Sequence, residues 1–455
     1  MLKITCPSNN IPERKYIIFV LFNELLGCGI KEDDLLFDDL THDYHIQAGE
    51  KEIIVEDHFF NEYPDALSYL DISHIPDRLE YLHARGKVMP IIYGRDKYVE
   101  DEHRVTIGLD VFASSFFMLT RWEESLLGRE AKGDCDESLL FAVKMGIYQR
   151  PVVHEYEDLF GELLSEAGVQ LKERKYDVIL SHDVDGFVTP SLSRIAKDFV
   201  TQSLHGSPKN TILHLTWKEE IKYKMAFPSV FDQFALYTRL SRKSDIQEWF
   251  YFKVCARGET ESTYIFDSAQ TKDIVSRLKR LTSPRIVMGF HPSQSTFGNE
   301  SQWRIEATRI ESLLGSVPVI GRNHHLLYSF DTLRNWENLA KRTKRGRTHI
   351  SNCVFHNKIG FRSGVGVGYT LFDIFQRRPM LLMERPCQIM DTVIRYHMKD
   401  NSPEQIWDEI KTVVDYSKKY RCELVLTWHI YIRNQKIIRD YYDWCERVIC
   451  YAKGQ

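Results

Sequence analysis

The sequence has no CxxC pair. Its nine cysteines, an odd number in 455 residues, are scattered, and the closest two, Cys445 and Cys450, fit neither a zinc knuckle nor a disulfide framework. A reducing compartment is therefore expected. No window approaches the apolar length of a membrane span. The run Lys15-Tyr-Ile-Ile-Phe-Val-Leu-Phe22 is too short and too late for an ordinary signal peptide, and it suits a core strand or helix. Together these absences favour a cytoplasmic protein without a transmembrane segment. Charge of one sign is also missing: a formal net charge of −4 gives no support to a general nucleic-acid binder. Internal repeats and low-complexity segments are absent, which argues against repeat arrays.

What is present can build real cores, with 43% apolar and 12% aromatic residues. At this length two domains are expected. The boundary is placed near Gly168 to Lys175, where a helix-like segment, Tyr156 to Ala167, gives way to the charged run Lys172-Glu-Arg-Lys175. The first domain is then residues 1–170 and the second 171–455. The first contains the strand and turn Val88-Met-Pro-Ile-Ile-Tyr93-Gly94 and a helical pattern after Asp110, a candidate N-cap. No catalytic constellation is visible in it.

The second domain holds the most informative stretch, Tyr176-Asp-Val-Ile-Leu-Ser-His182-Asp183-Val184-Asp185-Gly186. Val178, Ile179 and Leu180 suit a strand covered on both faces. An unpaired carboxylate is too costly to bury in such a strand. Asp183 and Asp185 are therefore placed at its end, facing a metal, a substrate or a cation. The arrangement recurs: Ile286 to Phe290 runs into His291-Pro292-Ser293, Val317 to Gly321 into Arg322-Asn323-His324-His325, Leu381 to Met383 into Glu384, and Glu423 to Trp428 into His429. Asp391 follows shortly after Glu384. Segments with apolar residues at helical spacing lie between, for example Ile274, Leu278 and Leu281, or Ile406, Ile410 and Val414. Strands alternating with helices imply a parallel sheet or barrel, whose strand ends converge on one face. Trp249 to Phe252, consecutive aromatics on an expected strand, read as core.

At Asp183-Val-Asp185 together with His291-Pro292-Ser293 the sequence resembles the NodB-type polysaccharide deacetylases, carbohydrate esterase family 4. It is most similar to the branch of bacterial surface-polysaccharide clusters in which an uncharacterised α/β domain comes first. Further matching pieces are Tyr93-Gly94, Asp110 to Glu124, Arg150 to Val153, Gly360-Phe-Arg-Ser-Gly364, Glu384-Arg-Pro386, Met390-Asp391 and Trp428-His429. The resemblance implies an α/β fold: an irregular (β/α) barrel of deacetylase type preceded by a smaller α/β domain. It implies a metal-dependent hydrolase that removes an N-acetyl group from a sugar in surface-polysaccharide biosynthesis. The substrate would be nucleotide-linked, lipid-linked or an oligosaccharide.

Carried over residue by residue, Asp183 is the catalytic base, Arg362 orients it, and His429 is the general acid on the departing amine. Asp185 and His291 are metal ligands, with zinc the expected divalent cation. Where the family usually has a second histidine, one helical turn after the first, this chain has Ser295; His324 is the candidate that completes the set. Asp391, Glu384 and Arg322 are expected to bind substrate. The chemistry implied is metal-assisted amide hydrolysis, with the carbonyl polarised by the cation and a water deprotonated by the base. Two other readings share the first motif. One is a haloacid-dehalogenase-type phosphatase, with Asp183 as nucleophile and Asp185 as acid/base. The other is a non-catalytic carbohydrate-binding or assembly protein that keeps the barrel without the chemistry, a reading that Ser295 invites.

Overall fold

The computed structural model describes residues 2–186, 221, 225, 231–254, 266–281, 285–344, 346–397, 400–430 and 435–455. The chain forms two compact units, and neither is one continuous stretch. The first comprises Met1–Tyr176, Leu326–Gln388 and Asp415–Leu424; the second comprises Asp177–His325, Ile389–Val414 and Val425–Gln455. Among the described residues no helix is long and apolar enough to cross a membrane. The described cysteines are all free.

In the first unit the strands β1 (Leu2–Pro7), β2 (Leu35–Asp38), β3 (Tyr44–Ala48), β4 (Lys51–Val55), β7 (Gly94–Glu100) and β8 (Arg104–Leu109) form a mixed sheet of order β2-β1-β3-β4-β8-β7. β5 (Glu80–Ala84) and β6 (Lys87–Ile91) make a separate antiparallel pair. The helix Val111–Thr120 is buried along its whole length, as a helix apolar on every face must be. Asp110 caps it by accepting from the Ala113 N–H at 2.9 Å. The run Lys15 to Phe22 is helical, within Ile11–Phe19 and the π-helical turn Val20–Leu25. Three later strands, β13 (Thr348–Ile350), β14 (Tyr369–Asp373) and β15 (Arg378–Glu384), belong to this unit in the order β14-β15-β13.

The second unit positions the site. β9 (Asp177–Val184) is buried from Val178 onward, as its apolar run requires. β10 (Gln247–Lys253) and β11 (Ile286–His291) pair with it in series, all parallel. β12 (Ile320–Gly321) follows β11 in parallel. On the other side lie β17 (Glu423–Thr427) and β16 (Ile389–Met390), giving the order β12-β11-β10-β9-β17-β16. Trp428 N–H donates to Ser181 O at 2.8 Å and Ile430 N–H to Asp183 O at 3.0 Å, so β17 runs with β9. Helices Phe231–Lys243, Ala269–Arg280 and Glu300–Leu314 alternate with these strands and bury Phe234, Ile274 and Ile310.

This order is linear, and among the described residues β12 and β16 do not pair with one another. The irregular barrel expected from the sequence is thus, within this unit, a parallel sheet that does not close. Closure depends on stagger and tilt, which a one-dimensional pattern does not carry. The strand expected over Val317 to Gly321 is also shorter than its apolar run, because Pro318 offers no N–H to the ladder.

Candidate metal centre and active site

Parallel strands bring their carboxyl ends to one edge, and that edge collects Asp183 at the end of β9 and Asp185 just after it, Lys253 on β10, His291 on β11, Arg322 and His324 after β12, Asp391 after β16 and His429 after β17. Close approach of β11 to β12 depends on Gly289. A Cβ there would lie 2.3 Å from the Ile320 carbonyl oxygen. Glycine thus sets the spacing between His291 and the residues that follow β12.

Asp185, His291 and His324 each offer one ligand atom, and these atoms lie within 4.8 Å of one another. Asp185 Oδ1 is 3.3 Å from His291 Nε2 and 3.5 Å from His324 Nε2. Tetrahedral ligands at about 2.0–2.1 Å from zinc stand about 3.3–3.5 Å apart. The donor set, one carboxylate and two imidazoles, is of the kind zinc takes in open catalytic sites. His291 is oriented from behind: its Nδ1–H donates to the Arg322 carbonyl at 2.6 Å, which leaves Nε2 as the lone-pair nitrogen. That nitrogen is buried and makes no hydrogen bond, as expected of a ligand atom shaped for a cation. Burial alone would raise the Asp185 carboxyl, but its neighbours His291, His324 and Lys253 hold it well below the aspartate value. His325 is exposed, with φ of 54°, and lies outside this trio. Ser295 is exposed as well and pairs with Ser293 Oγ at 2.7 Å.

Asp183 sits beside this trio, 4% exposed. Its Oδ1 accepts from the Arg322 guanidinium at 2.9 Å, and the same Nη1 donates to Thr427 Oγ1 at 2.8 Å. Arg322 is fully buried and lies over the Tyr251 ring, 4.9 Å from its centroid. Burial would raise Asp183; Arg322, then His291 and His429, outweigh it and lower its pKa, so the carboxylate is ionised at neutral pH. Asp183 Oδ2 faces His429 Nε2 at 3.8 Å, beyond hydrogen-bond reach, and makes no hydrogen bond among the described residues.

His429 is held by Asp391 twice: Oδ1 meets Nδ1 at 2.7 Å and Oδ2 accepts the backbone N–H at 2.9 Å. Burial pulls its pKa down, but Asp391, then Asp183 and Asp185, raise it to about 9. At neutral pH the ring is an imidazolium, whose Nε2 proton points toward the side on which Asp183 lies. The strand behind it is anchored by Trp428, fully buried, whose indole N–H donates to Tyr441 O at 2.9 Å.

The structure thus brings together Asp183, Asp185, His291, Arg322, His324, Asp391 and His429. Arg362 and Glu384 belong to the first unit and make their bonds there. Arg362 donates to Glu124 at 2.9 Å, Glu137 at 2.6 Å and the Val354 carbonyl at 2.7 Å. Glu384, fully buried, accepts the Asn352 and Cys353 N–H groups at 2.8 and 2.9 Å. Asp391 and Arg322, expected to bind substrate, are bonded to His429 and Asp183 respectively. The guanidinium on the candidate base is Arg322. One charged residue at this edge was not anticipated. Lys253 closes the aromatic run Trp249 to Phe252, and the signal was there: a single cation ending an apolar strand, as Asp183 and His291 end theirs.

Residues 2–168 match a family of unknown function (DUF7033). No curated protein matches the sequence. Among solved structures, a candidate polysaccharide deacetylase involved in O-antigen biosynthesis from Bordetella bronchiseptica aligns at 13% identity, with a TM-score of 0.31, over 60% of this chain and 81% of its own. A candidate polysaccharide deacetylase from Mycobacterium smegmatis aligns at 14% identity, with a TM-score of 0.34, over 61% of this chain and 86% of its own.

Proposed function

We propose that the second unit is a metal-dependent amide hydrolase that removes the acetyl group from an N-acetylated sugar, whether nucleotide-linked, lipid-linked or part of an oligosaccharide. The observation that carries this reading is the convergence of Asp185 Oδ1, His291 Nε2 and His324 Nε2 beside a carboxylate with an uncommitted oxygen and an imidazolium 3.8 Å from it. Asp185, His291 and His324 would hold a divalent cation, zinc by donor type. Such a cation polarises a carbonyl and makes a neighbouring water more acidic.

The protein groups divide the remaining work. Asp183, kept ionised and aimed by Arg322, takes a proton from water through Oδ2. The water oxygen bonds to the acetyl carbon, the C–N bond breaks, and the proton on His429 Nε2 goes to the departing nitrogen. Acetate and a free amine result. Asp391 fixes the His429 ring and keeps it charged for that transfer. Arg322 fills the base-orienting role that resemblance had given to Arg362. The sugar and the hydrolysis are both implied by the sequence resemblance, and the geometry supports the hydrolytic part of it.

The test is metal analysis of purified protein joined to an acetate-release assay on N-acetylated sugars. Stoichiometric zinc, lost together in His291→Ala with acetate release, is the expected result. Wild-type protein that takes up no divalent cation would sink the reading.

A further inference from the structure

Glu306 lies on the helix Glu300–Leu314, is fully buried, and has no part in the chemistry derived above. Its Oε2 accepts the Ser293 backbone N–H at 2.9 Å. Its Oε1 accepts from the Ser293 hydroxyl and, at 2.9 Å, from the Gln302 side-chain N–H. A buried carboxylate is costly unless donors meet it, and two of the donors here belong to Ser293, two positions after His291.

The Ser293 N–H is one end of the peptide group that joins Ser293 to Pro292. The other end, the Pro292 carbonyl, accepts the backbone N–H of His324 at 3.0 Å. One peptide plane therefore lies between a buried carboxylate and the backbone of a candidate ligand. Hydrogen bonds in series polarise one another, so a carboxylate on the N–H makes the carbonyl a better acceptor. The ladder itself serves the two histidines unequally. His291 is a residue of β11, whereas β12 ends at Gly321, three residues before His324. Yet both imidazoles must reach Asp185 Oδ1 alike, and their Nε2 atoms stand 3.3 and 3.5 Å from it.

We propose that Glu306 is a positioning residue for the metal centre, which holds the backbone of His324 in register with His291 through the Pro292–Ser293 peptide. The turn from Ser293 to Ser295 gives no ligand to the trio, and its work is to carry this brace. The inference rests on the metal-hydrolase reading and adds to it the group that ties the loop after β11 to the loop after β12.

The experiment measures the zinc affinity of the full-length protein against a competing chelator, together with the urea midpoint of the zinc-free protein. Glu306→Ala is expected to weaken zinc binding about ten- to a hundredfold, the usual cost of removing a partner behind a ligand. Ser293 has φ of −68°, which the proline ring also adopts, so Ser293→Pro deletes the N–H and keeps the course of the chain. It is expected to weaken zinc by a similar factor, and it decides the matter should the alanine variant unfold. Glu306→Gln keeps an oxygen for that N–H and is expected to retain most of the affinity. Ile310→Ala, at a buried position on the same helix, is expected to lower the urea midpoint and leave zinc affinity unchanged. Wild-type zinc affinity in folded Glu306→Ala or Ser293→Pro protein overturns the proposal and leaves the metal centre standing. A loss in Ile310→Ala or Glu306→Gln equal to that in Glu306→Ala also overturns it, since the effect would then not run through this hydrogen bond. Wild type that takes no zinc overturns the metal centre itself.

Discussion

Arg322 and Arg362 are both buried guanidiniums bonded to buried carboxylates, yet their surroundings differ in kind. Around Arg362 the charges are consumed. Glu124 Oε1 is taken by Arg362 at 2.9 Å, while its Oε2 is met by Arg129 at 3.2 Å, by Arg121 at 3.5 Å and by the Tyr328 hydroxyl at 3.3 Å. Burial would raise Glu124, but Arg362, Arg121 and Arg129 outweigh it and drive its pKa down. Around Arg322 only one oxygen of Asp183 is taken, and the other is left to face His429 at 3.8 Å. A saturated carboxylate can only hold structure together. One with an uncommitted oxygen next to a charged imidazole can exchange a proton with something else.

That contrast can be broken first at Asp183. Asp183→Asn should lower acetate release by about 10²–10⁴-fold, since an amide cannot take the water's proton, while zinc content stays near wild type. Asp185→Asn should lose the zinc itself. Equal zinc loss in both variants would show that Asp183 is a ligand rather than the base.

The structural side of the comparison is tested at Arg362. Arg362→Ala leaves Glu124 and Glu137 partly unpaired in the interior and should cost about 3–5 kcal/mol in urea unfolding. The zinc affinity of the protein that remains folded should not move. A fall in zinc affinity with intact folding would return Arg362 to the catalytic list.

How far the sequence could be read separates along the same line. Strand ends were legible because an apolar run that halts at Asp183, His291 or His429 has a physical meaning without any partner being known. The cap at Asp110 was legible for the same local reason. Which arginine meets which carboxylate was not, because pairing depends on strand order, and the order β12-β11-β10-β9-β17-β16 sets two strands, β11 and β10, between β12 and β9. The return of Leu326–Gln388 to the first unit was equally hidden, since its strands and helices alternate as the others do. Lys253 was masked by the aromatics before it, which set the reading of the whole strand as core.

Acid–base behaviour offers a gentler test. The His429 pKa lies above the ordinary histidine value, so the general acid is present at neutral pH and is lost as pH rises through about 9. The Asp183 pKa is lowered, so the base is ionised throughout that range and fails only on the acid side. Activity should therefore hold through neutrality and fall on an alkaline limb near 9. Asp391→Asn should bring that limb down toward about 6.5, the free histidine value. A limb that does not move would mean that Asp391 does not act through His429. The smallest effect is expected at Ser295, whose exposed hydroxyl pairs with Ser293: Ser295→Ala should leave zinc affinity and acetate release unchanged.

Arg322 serves the site with two parts that mutation treats differently. Its guanidinium holds Asp183, and its carbonyl oxygen accepts from His291 Nδ1. Substituting the side chain leaves the carbonyl in place. A scan at this position therefore reports on only one of its two jobs, and a variant such as Arg322→Met should keep the proposed metal uptake and lose the aim of Asp183. The other job belongs to the course of the backbone, and only changes that redirect the chain after β12 would reveal it.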